Sequence, residues 1–170
     1  MLLQTDFIDP LVRLKYFGPD FMVNSVTCLD LFLGKQIGGL GVVQNAGIIL
    51  GGIYLIAKGI VRLEIVISFI AGVLLLGGIL NICSAELYVN PFYHLLTGST
   101  LFCAFFLATE CASAPDRAIG MFLYGLMGGM LVVTIRTFGV YTDGAPFAVM
   151  LINLLSPYFA MIQPKPFGVK

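Results

Sequence analysis

Charged residues are scarce in this chain. They make up 11% of its 170 residues, whereas soluble domains contain roughly 25%. Apolar residues make up 59%, so the composition excludes an ordinary soluble globular domain. Nine basic residues balance nine acidic ones, and no basic cluster occurs along the sequence. Binding to nucleic acid therefore has no electrostatic support, because phosphate contacts require clustered Lys and Arg.

The chain also lacks tryptophan, has a single histidine, and contains no Cys-x-x-Cys pair among its four cysteines. This pattern lacks the ligand spacing of a zinc site, so we predict no metal. It also lacks the glycine-rich turns of nucleotide-binding folds and the motifs of hydrolases, so we predict no catalytic residue in the chain itself. No basic segment followed by an apolar one opens the sequence, and we expect no cleaved signal peptide.

Five long uncharged stretches, of 18 to 23 residues each, fill most of the chain after residue 36. A helix needs about 20 apolar residues to cross a bilayer core. We therefore predict an all-α membrane protein, a bundle of five transmembrane helices over a membrane domain at residues 37–170. Residues 1–36 are expected to form an irregular or interfacial segment outside the membrane. The predicted spans lie near residues 37–57, 64–84, 92–109, 118–136 and 145–162.

Small residues recur four positions apart within three of these stretches. Such pairs allow helix backbones to approach closely, which stabilises helix packing in lipid. They predict a compact bundle rather than five independent anchors. The pairs are Gly47 and Gly51, Ala104 and Ala108, and Gly125 and Gly129.

Short loops force successive spans to alternate in direction, which brings distant polar residues to one membrane face. That face gathers Thr27, His94, Arg136, Tyr141 and Asp143. Two interpretations stay open: a polar site, or interfacial charges and hydrogen-bonded side chains with no shared role. The opposite face carries one more basic residue, so we predict that it is cytoplasmic and holds the C-terminus.

Six short strings carry a family resemblance. They are Leu50–Leu55, Pro91–Leu96, Ala104–Glu110, Ile135–Gly139, Tyr141–Gly144 and Phe147–Asn153. In this order they resemble the C-terminal half of the D-type subunit of the Rnf electron-transport complex, a family shared with the B-type subunit of the sodium-pumping quinone reductase. The resemblance covers about residues 21–170. It implies that the five helices form one half of a two-repeat membrane fold.

The family resemblance also implies a covalent FMN, whose phosphate is esterified to a threonine by a flavin transferase. The string Ser25–Leu29 reads Ser-Val-Thr-Cys-Leu and resembles the family's Ser-Ala-Thr-Pro-Leu motif. Thr27 is then the attachment residue, and Ser25 belongs to the same cofactor-binding motif. His94 and Arg136 are expected to contact the FMN phosphate or ring. The chain departs from the family pattern at Val26, where the family has alanine.

The resemblance implies a membrane subunit of an Rnf-type complex, which passes electrons between reduced ferredoxin and NAD and moves sodium ions or protons. Such a subunit resides in the inner (cytoplasmic) membrane and is not catalytic alone. Its expected partners are the bilayer, the other membrane subunits, the flavin transferase and a chain supplying the missing N-terminal half, since family members are about twice as long. Two alternatives stay open: a transporter or channel half-domain, or a structural assembly subunit.

Ion coupling would require a polar path through the bundle. Hydroxyl and amide side chains within the predicted spans are candidates for it, and helix capping or interhelical hydrogen bonding is the alternative for each. The candidates are Thr97, Ser99, Thr100, Thr134 and Asn153.

Overall fold

The computed structural model describes residues 9–18, 27–39, 41–84, 87–110, 114–115 and 117–161. Within these residues the chain is helical and forms no strand, which confirms the all-α prediction. A π-helical turn over Cys103–Leu107 directly follows the sixth helix. In chain order the helices are α1 Pro10–Phe17, α2 Cys28–Phe32, α3 Asn45–Ala57, α4 Leu63–Cys83, α5 Pro91–Leu96, α6 Thr100–Phe102, α7 Ala118–Phe138 and α8 Ala145–Met161.

Two of the predicted spans form helices that are long and apolar enough to cross a membrane. These are α4 and α7, which have 21 residues each. At about 1.5 Å per residue, each extends about 31 Å, the thickness of a bilayer core. The helices α3 and α8 are apolar as well but shorter, with 13 and 17 residues.

Glycines allow α4 and α7 to pack with their backbones in close contact. A Cβ atom built on Gly129 overlaps the carbonyl oxygen of Phe69, and one built on Gly125 overlaps the Ser68 hydroxyl. Gly72 makes the equivalent close contact from α4, where an added Cβ would overlap the carbonyl oxygen of Leu126. The close-packed face predicted for Gly125 and Gly129 is therefore confirmed, and it explains why these helices form the centre of the bundle.

The largest core cluster fills the space between α4, α7, α8 and the π-helical turn. Phe69, Tyr124, Val132 and Ile152 are all fully buried there. A second cluster joins α3 to α4 and the π-helical turn through Ile48, among others. In lipid, close van der Waals packing of this kind is what stabilises the association of helices.

The first predicted span begins later than expected. The sequence predicted a helix from residue 37, but α3 begins at Asn45. Glycine is a poor helix former, and the intervening segment contains Gly38, Gly39 and Gly41. Gly41 adopts a φ of 80°, which a right-handed helix does not accommodate. The prediction for residues 37–44 was wrong because it counted uncharged residues without weighting glycine.

The third predicted span is interrupted. One continuous helix was expected over residues 92–109, but α5 ends at Leu96 and α6 begins at Thr100. Gly98 lies in the break with a φ of 61°, in the left-handed region that glycine adopts readily. This discontinuity leaves helix-end carbonyl groups in the interior of the bundle.

The segment before residue 37, expected to be irregular or interfacial, contains two short helices. Asp9 caps α1, since its Oδ1 accepts a hydrogen bond from Leu11 N at 2.9 Å, and Pro10 occupies the first turn. Thr27 caps α2 through its hydroxyl oxygen. Ser25, which was predicted to belong to the cofactor-binding motif, lies outside the described residues.

Candidate functional site

Arg136 lies in the last turn of α7 and reaches into the break between α5 and α6. Its Nη1 donates to the carbonyl oxygen of His94 at 2.6 Å, and its Nη2 donates to that of Thr97 at 3.1 Å. Because α5 ends at Leu96, carbonyls in this region lack the partners that a continued helix would provide. The guanidinium group supplies these partners, which explains how an interrupted helix is tolerated inside an apolar bundle.

Asp143, in the loop between α7 and α8, neutralises Arg136. Its Oδ1 lies 2.8 Å from Arg136 Nη2, and its Oδ2 accepts hydrogen bonds from the backbone N–H and the hydroxyl of Ser99. Burial alone raises the pKa of the Asp143 carboxyl, but the charge of Arg136 and the hydrogen bonds from Arg136 and Ser99 outweigh it. The pKa of Asp143 therefore lies below its usual value of 3.8.

Asn45, at the start of α3, connects the end of α5 to α2. Its Nδ2 donates to the carbonyl oxygen of Leu96 at 2.6 Å and to that of Leu31 at 2.9 Å. Gln36 adds a weaker bond from Nε2 to Leu96 O at 3.3 Å. The side chain of Asn45 is fully buried, so these bonds connect α2 rigidly to the C-terminal end of α5.

A cavity of about 280 Å³ adjoins this network between α1, α5 and α7. The helix α1 covers it and is anchored by Lys15, whose Nζ donates to Gly139 O at 2.5 Å and to Tyr141 O at 2.9 Å. The wall combines apolar side chains with a few polar ones, as ligand sites commonly do. The residues that line it are Leu11, Leu14, Lys15, Gly18, Leu87, Tyr88, Val89, His94, Arg136, Thr137 and Thr142.

Two polar atoms of the cavity residues have no hydrogen-bond partner. They are His94 Nδ1 and Arg136 Nε, and in the described part of the chain only one further buried side-chain nitrogen or oxygen is in this condition. His94 is 4% exposed and Arg136 is 5% exposed. An unsatisfied buried polar group costs about 1–3 kcal/mol, and more when it is charged. Both atoms have less than 1 Å² of accessible surface, so this cost is borne inside the packed interior and neither atom is open to the cavity.

Thr27 is exposed at the start of α2 and is not among the residues that line the cavity. Its hydroxyl donates to the carboxylate of Asp30, and Lys35 Nζ lies 3.6 Å from the same carboxylate. The hydrogen bond from Thr27 and the charge of Lys35 hold the pKa of Asp30 below its usual range. One turn further along α2, Leu31 packs against Val89, which lines the cavity.

The structure thus brings together three of the five residues predicted to share one face. His94, Arg136 and Asp143 form one network, while Tyr141 contributes only its backbone carbonyl and stacks its ring on Phe147 at 4.4 Å between centroids. Thr27 belongs to a separate hydrogen-bonded group on α2. The sequence reasoning missed Asn45 and Lys15. The signal for Asn45 was a polar residue at the start of an apolar helix, and Lys15, in the last turn of α1, had none.

The side chains proposed for an ion path all have hydrogen-bond partners in the protein. Thr97 Oγ1 donates to Tyr93 O at 2.5 Å, and Thr134 Oγ1 donates to Met130 O at 2.9 Å. Thr100 Oγ1 donates across the break to His94 O at 2.9 Å. Ser99 bonds to Asp143, and Asn153 accepts a hydrogen bond from the hydroxyl of Tyr124. The structure therefore favours helix capping or interhelical hydrogen bonding for these side chains.

Two apolar helices long enough to span a bilayer, an interrupted helix and a largely buried arginine paired with an aspartate are features of α-helical membrane proteins that contain a polar site. Residues 4–168 match the NQR2, RnfD, RnfE family. The chain therefore belongs to this family, which confirms the resemblance seen in its sequence.

Several relatives are D-type subunits of an ion-translocating oxidoreductase complex. The protein of Pectobacterium carotovorum subsp. carotovorum (strain PC1) is 35% identical over 127 residues, which are 73% of this chain and 36% of that protein. That of Aliivibrio salmonicida (strain LFI1238) is 32% identical over 151 residues, covering 86% and 42%. That of Alcanivorax borkumensis is 36% identical over 140 residues, covering 81% and 41%. The chain thus spans about two fifths of the length of these relatives.

Proposed function

We propose that the chain is a membrane subunit of an Rnf-type, ion-translocating ferredoxin:NAD oxidoreductase, and that it carries an FMN joined through its phosphate to Thr27. The match to the NQR2, RnfD, RnfE family over nearly the whole chain carries the assignment as a membrane subunit. The attachment at Thr27 is supported by the resemblance of Ser25–Leu29 to the family's flavin-attachment motif. The names of the relatives, each belonging to an ion-translocating oxidoreductase complex, support the same assignment. Its partners are then the other membrane subunits and the remainder of the two-repeat fold.

The surroundings of Thr27 fit a phosphoester. The side chain is exposed, so a transferase has access to the hydroxyl, and the hydroxyl already donates its proton to the Asp30 carboxylate. When the bond from Thr27 Oγ1 to phosphorus forms, the phosphoanhydride bond of a flavin dinucleotide breaks and a nucleoside monophosphate leaves. Asp30 is placed to receive the hydroxyl proton. Lys35, beside Asp30, offsets part of the negative charge of the phosphate.

The chain holds this attachment point at a fixed place in the fold. Leu31, on the same short helix as Thr27, is fully buried, and Asn45 binds its carbonyl oxygen at 2.9 Å. A bound flavin supplies reversible electron transfer, while the protein supplies position and electrostatic tuning. Thr27 therefore lies on a helix whose position relative to the bundle is set by buried contacts.

A denaturing gel tests the attachment. The full chain produced together with its flavin transferase should give a fluorescent band at the position of the polypeptide, and Thr27→Ala should abolish it. Thr134→Ala is a matched control, because Thr134 is also an exposed threonine and its hydroxyl bonds only within α7. A dark wild-type band, or a fluorescent Thr27→Ala band, would overturn the proposal and favour a structural role in assembly.

The orientation in the membrane is also part of the proposal. Thr27, the start of α5 and the end of α7 lie at the same end of the bundle, because α2 packs on α5 and Arg136 binds His94 O. We place this end on the outer face of the cytoplasmic membrane and the C-terminus inside. In a chain whose four native cysteines are replaced by serine, a cysteine introduced at residue 170 should resist an impermeant thiol reagent in intact cells and react after lysis. Reaction in intact cells would reverse the orientation.

A further inference from the structure

The outward side of α8 carries large apolar side chains that recur every three or four residues, a spacing that places them on one side of a helix. Their exposed fractions run from 41% to 74%. The chain contains no charged residue from position 144 to position 164, so no ionisable side chain interrupts them. These residues form the α8 face, and they are Phe147, Met150, Leu151, Leu154 and Tyr158.

The opposite side of α8 is committed to the protein interior. Ala148 and Ile152 are fully buried in the largest core cluster. The single side-chain amide of the helix belongs to Asn153, whose Oδ1 accepts a hydrogen bond from the Tyr124 hydroxyl on α7. Helices that associate within a membrane present small residues or polar side chains to each other. The α8 face has neither, so its composition favours lipid over another helix.

The position of α8 beside α7 sets the depth of this face. A Cβ atom built on Gly120 would lie 3.0 Å from the carbonyl oxygen of Phe159, and one built on Gly144 would lie 2.7 Å from Ile135 Cγ2. Gly120 is in the first turn of α7 and Ile135 in its last turn, so α8 follows α7 over about 22 Å. Met150 is then close to the level of the centre of α7, near the middle of the bilayer core.

A tyrosine lies at each end of the α8 face. Tyr158 is adjacent to Phe159 and therefore lies near the level of the first turn of α7. At the other end, Tyr141 is exposed and its ring stacks on Phe147 with 4.4 Å between centroids. Tyrosine is enriched at membrane–water boundaries, because its ring is apolar and its hydroxyl is polar. The order of residues along the face is therefore the one that a bilayer favours.

We propose that the α8 face contacts lipid in the assembled complex, so that phospholipid acyl chains cover Met150 and Leu154 and the other subunits bind the bundle elsewhere. This inference rests on the proposed function for the location of the chain in a membrane, and it does not depend on the FMN. It makes α8 an outer helix of the assembly.

Single-tryptophan variants test the lipid contact, because the chain itself contains no tryptophan. The full chain is reconstituted in vesicles of lipids brominated either near the headgroup or near the end of the acyl chains. Met150→Trp should lose more emission to the deep bromines, and Tyr158→Trp should lose more to the shallow ones. Phe159→Trp is the matched control, since Phe159 is the next residue but is 7% exposed and packs edge-to-face on Tyr124. Its emission should change least. Weaker quenching of Met150→Trp than of the control would overturn the inference.

A second measurement tests the same face within the complex. Leu154, which is 74% exposed, is replaced by the photoreactive residue p-benzoylphenylalanine in cells that produce the other subunits. Irradiation should give a chain whose mass is increased by one phospholipid. An adduct with another protein, or the absence of any lipid adduct, would overturn the inference.

The outcomes are distinguishable from a failure of the proposed function. If alkaline carbonate releases the chain from membranes, the membrane assignment and this inference both fail. A dark wild-type band on the denaturing gel overturns the attachment of FMN and leaves the lipid contact intact. A protein adduct at position 154, in a chain that still gives a fluorescent band, overturns only the lipid contact and makes the α8 face a subunit interface.

Discussion

Removal of the Asp143 carboxylate should destabilise the protein strongly, because the buried charge of Arg136 then lacks both a counter-ion and contact with water. The side chain of Arg136 is only 2% exposed, whereas that of Asp143 is 32% exposed. Asp143→Ala leaves the buried guanidinium bonded to two neutral carbonyls and also removes Oδ2, the acceptor of both the backbone N–H and the hydroxyl of Ser99. Breaking a buried ion pair from one side costs about 3–5 kcal/mol.

The melting temperature in detergent measures this loss. For a chain of 150–250 residues, 1 kcal/mol shifts Tm by about 2–4 °C, so Asp143→Ala should lower it by about 6–20 °C. Asp143→Asn keeps an acceptor for Arg136 and Ser99 and should fall between the variant and the wild type. The control is Asp30→Ala, since Asp30 also pairs with a base but at the exposed surface.

The control variant should melt near the wild type, because exposed ion pairs add little stability. If Asp143→Ala melts no lower than Asp30→Ala, the buried pair does not support the interrupted helix. The role that we assign to Arg136 in satisfying the carbonyls of the break would then be wrong.

Three further predictions follow from the same structure. Gly98→Ala should destabilise by roughly 2 kcal/mol or more, because its φ is 61° and an added Cβ lies 2.5 Å from a Leu11 carbon, whereas Gly59→Ala, with a φ of 71° in open space, should cost only the backbone strain. Gly129→Ala should lower Tm by separating α4 from α7, while Gly78→Ala, with no neighbour within 4 Å, should not. Because the pKa of Asp143 is lower in the folded than in the unfolded state, its carboxylate should contribute its full stabilisation above pH 3.8 and lose it as the pH falls through the folded-state pKa. Tm measured as a function of acidic pH should show this loss in the wild type but not in Asp143→Asn.

The long helices were predictable because their signal is continuous. The prediction of spans at 64–84 and 118–136 agrees within two residues with α4 at Leu63–Cys83 and α7 at Ala118–Phe138. Both stretches lack charge over most of their length and contain no glycine with a positive φ. A long apolar run with regular backbone is the pattern that composition reveals most reliably.

The interrupted helix was not predictable from the same evidence. Gly98 and Gly72 both lie within uncharged stretches, yet Gly98 has a positive φ and breaks a helix, while Gly72 packs two helices together. The polar run Thr97–Thr100 around Gly98 is a local turn signal, which a count of uncharged residues ignores. The contacts that fix the break are tertiary, since the space beside Gly98 is filled by Leu11, Arg136 and Asp143.

The sequence predicted that His94, Arg136 and Asp143 belong to one polar site, but it did not predict the hydrogen bonds that they form. Alternating spans correctly placed His94 near Arg136 and Asp143. Most contacts of the site, however, go to backbone carbonyls, which carry no sequence signal. Lys15 illustrates the point, because it anchors α1 over the cavity entirely through the carbonyl oxygens of Gly139 and Tyr141.

Covalent attachment of FMN to Thr27 is tested most directly by the intact mass of the full chain, purified from cells that contain the flavin transferase. The mass of the wild type should exceed that of the unmodified polypeptide by one FMN less one water. Fragmentation should place the addition on Thr27, and Thr27→Ala should have the unmodified mass. A wild-type chain at the unmodified mass, or an addition that remains in Thr27→Ala, would contradict the assignment.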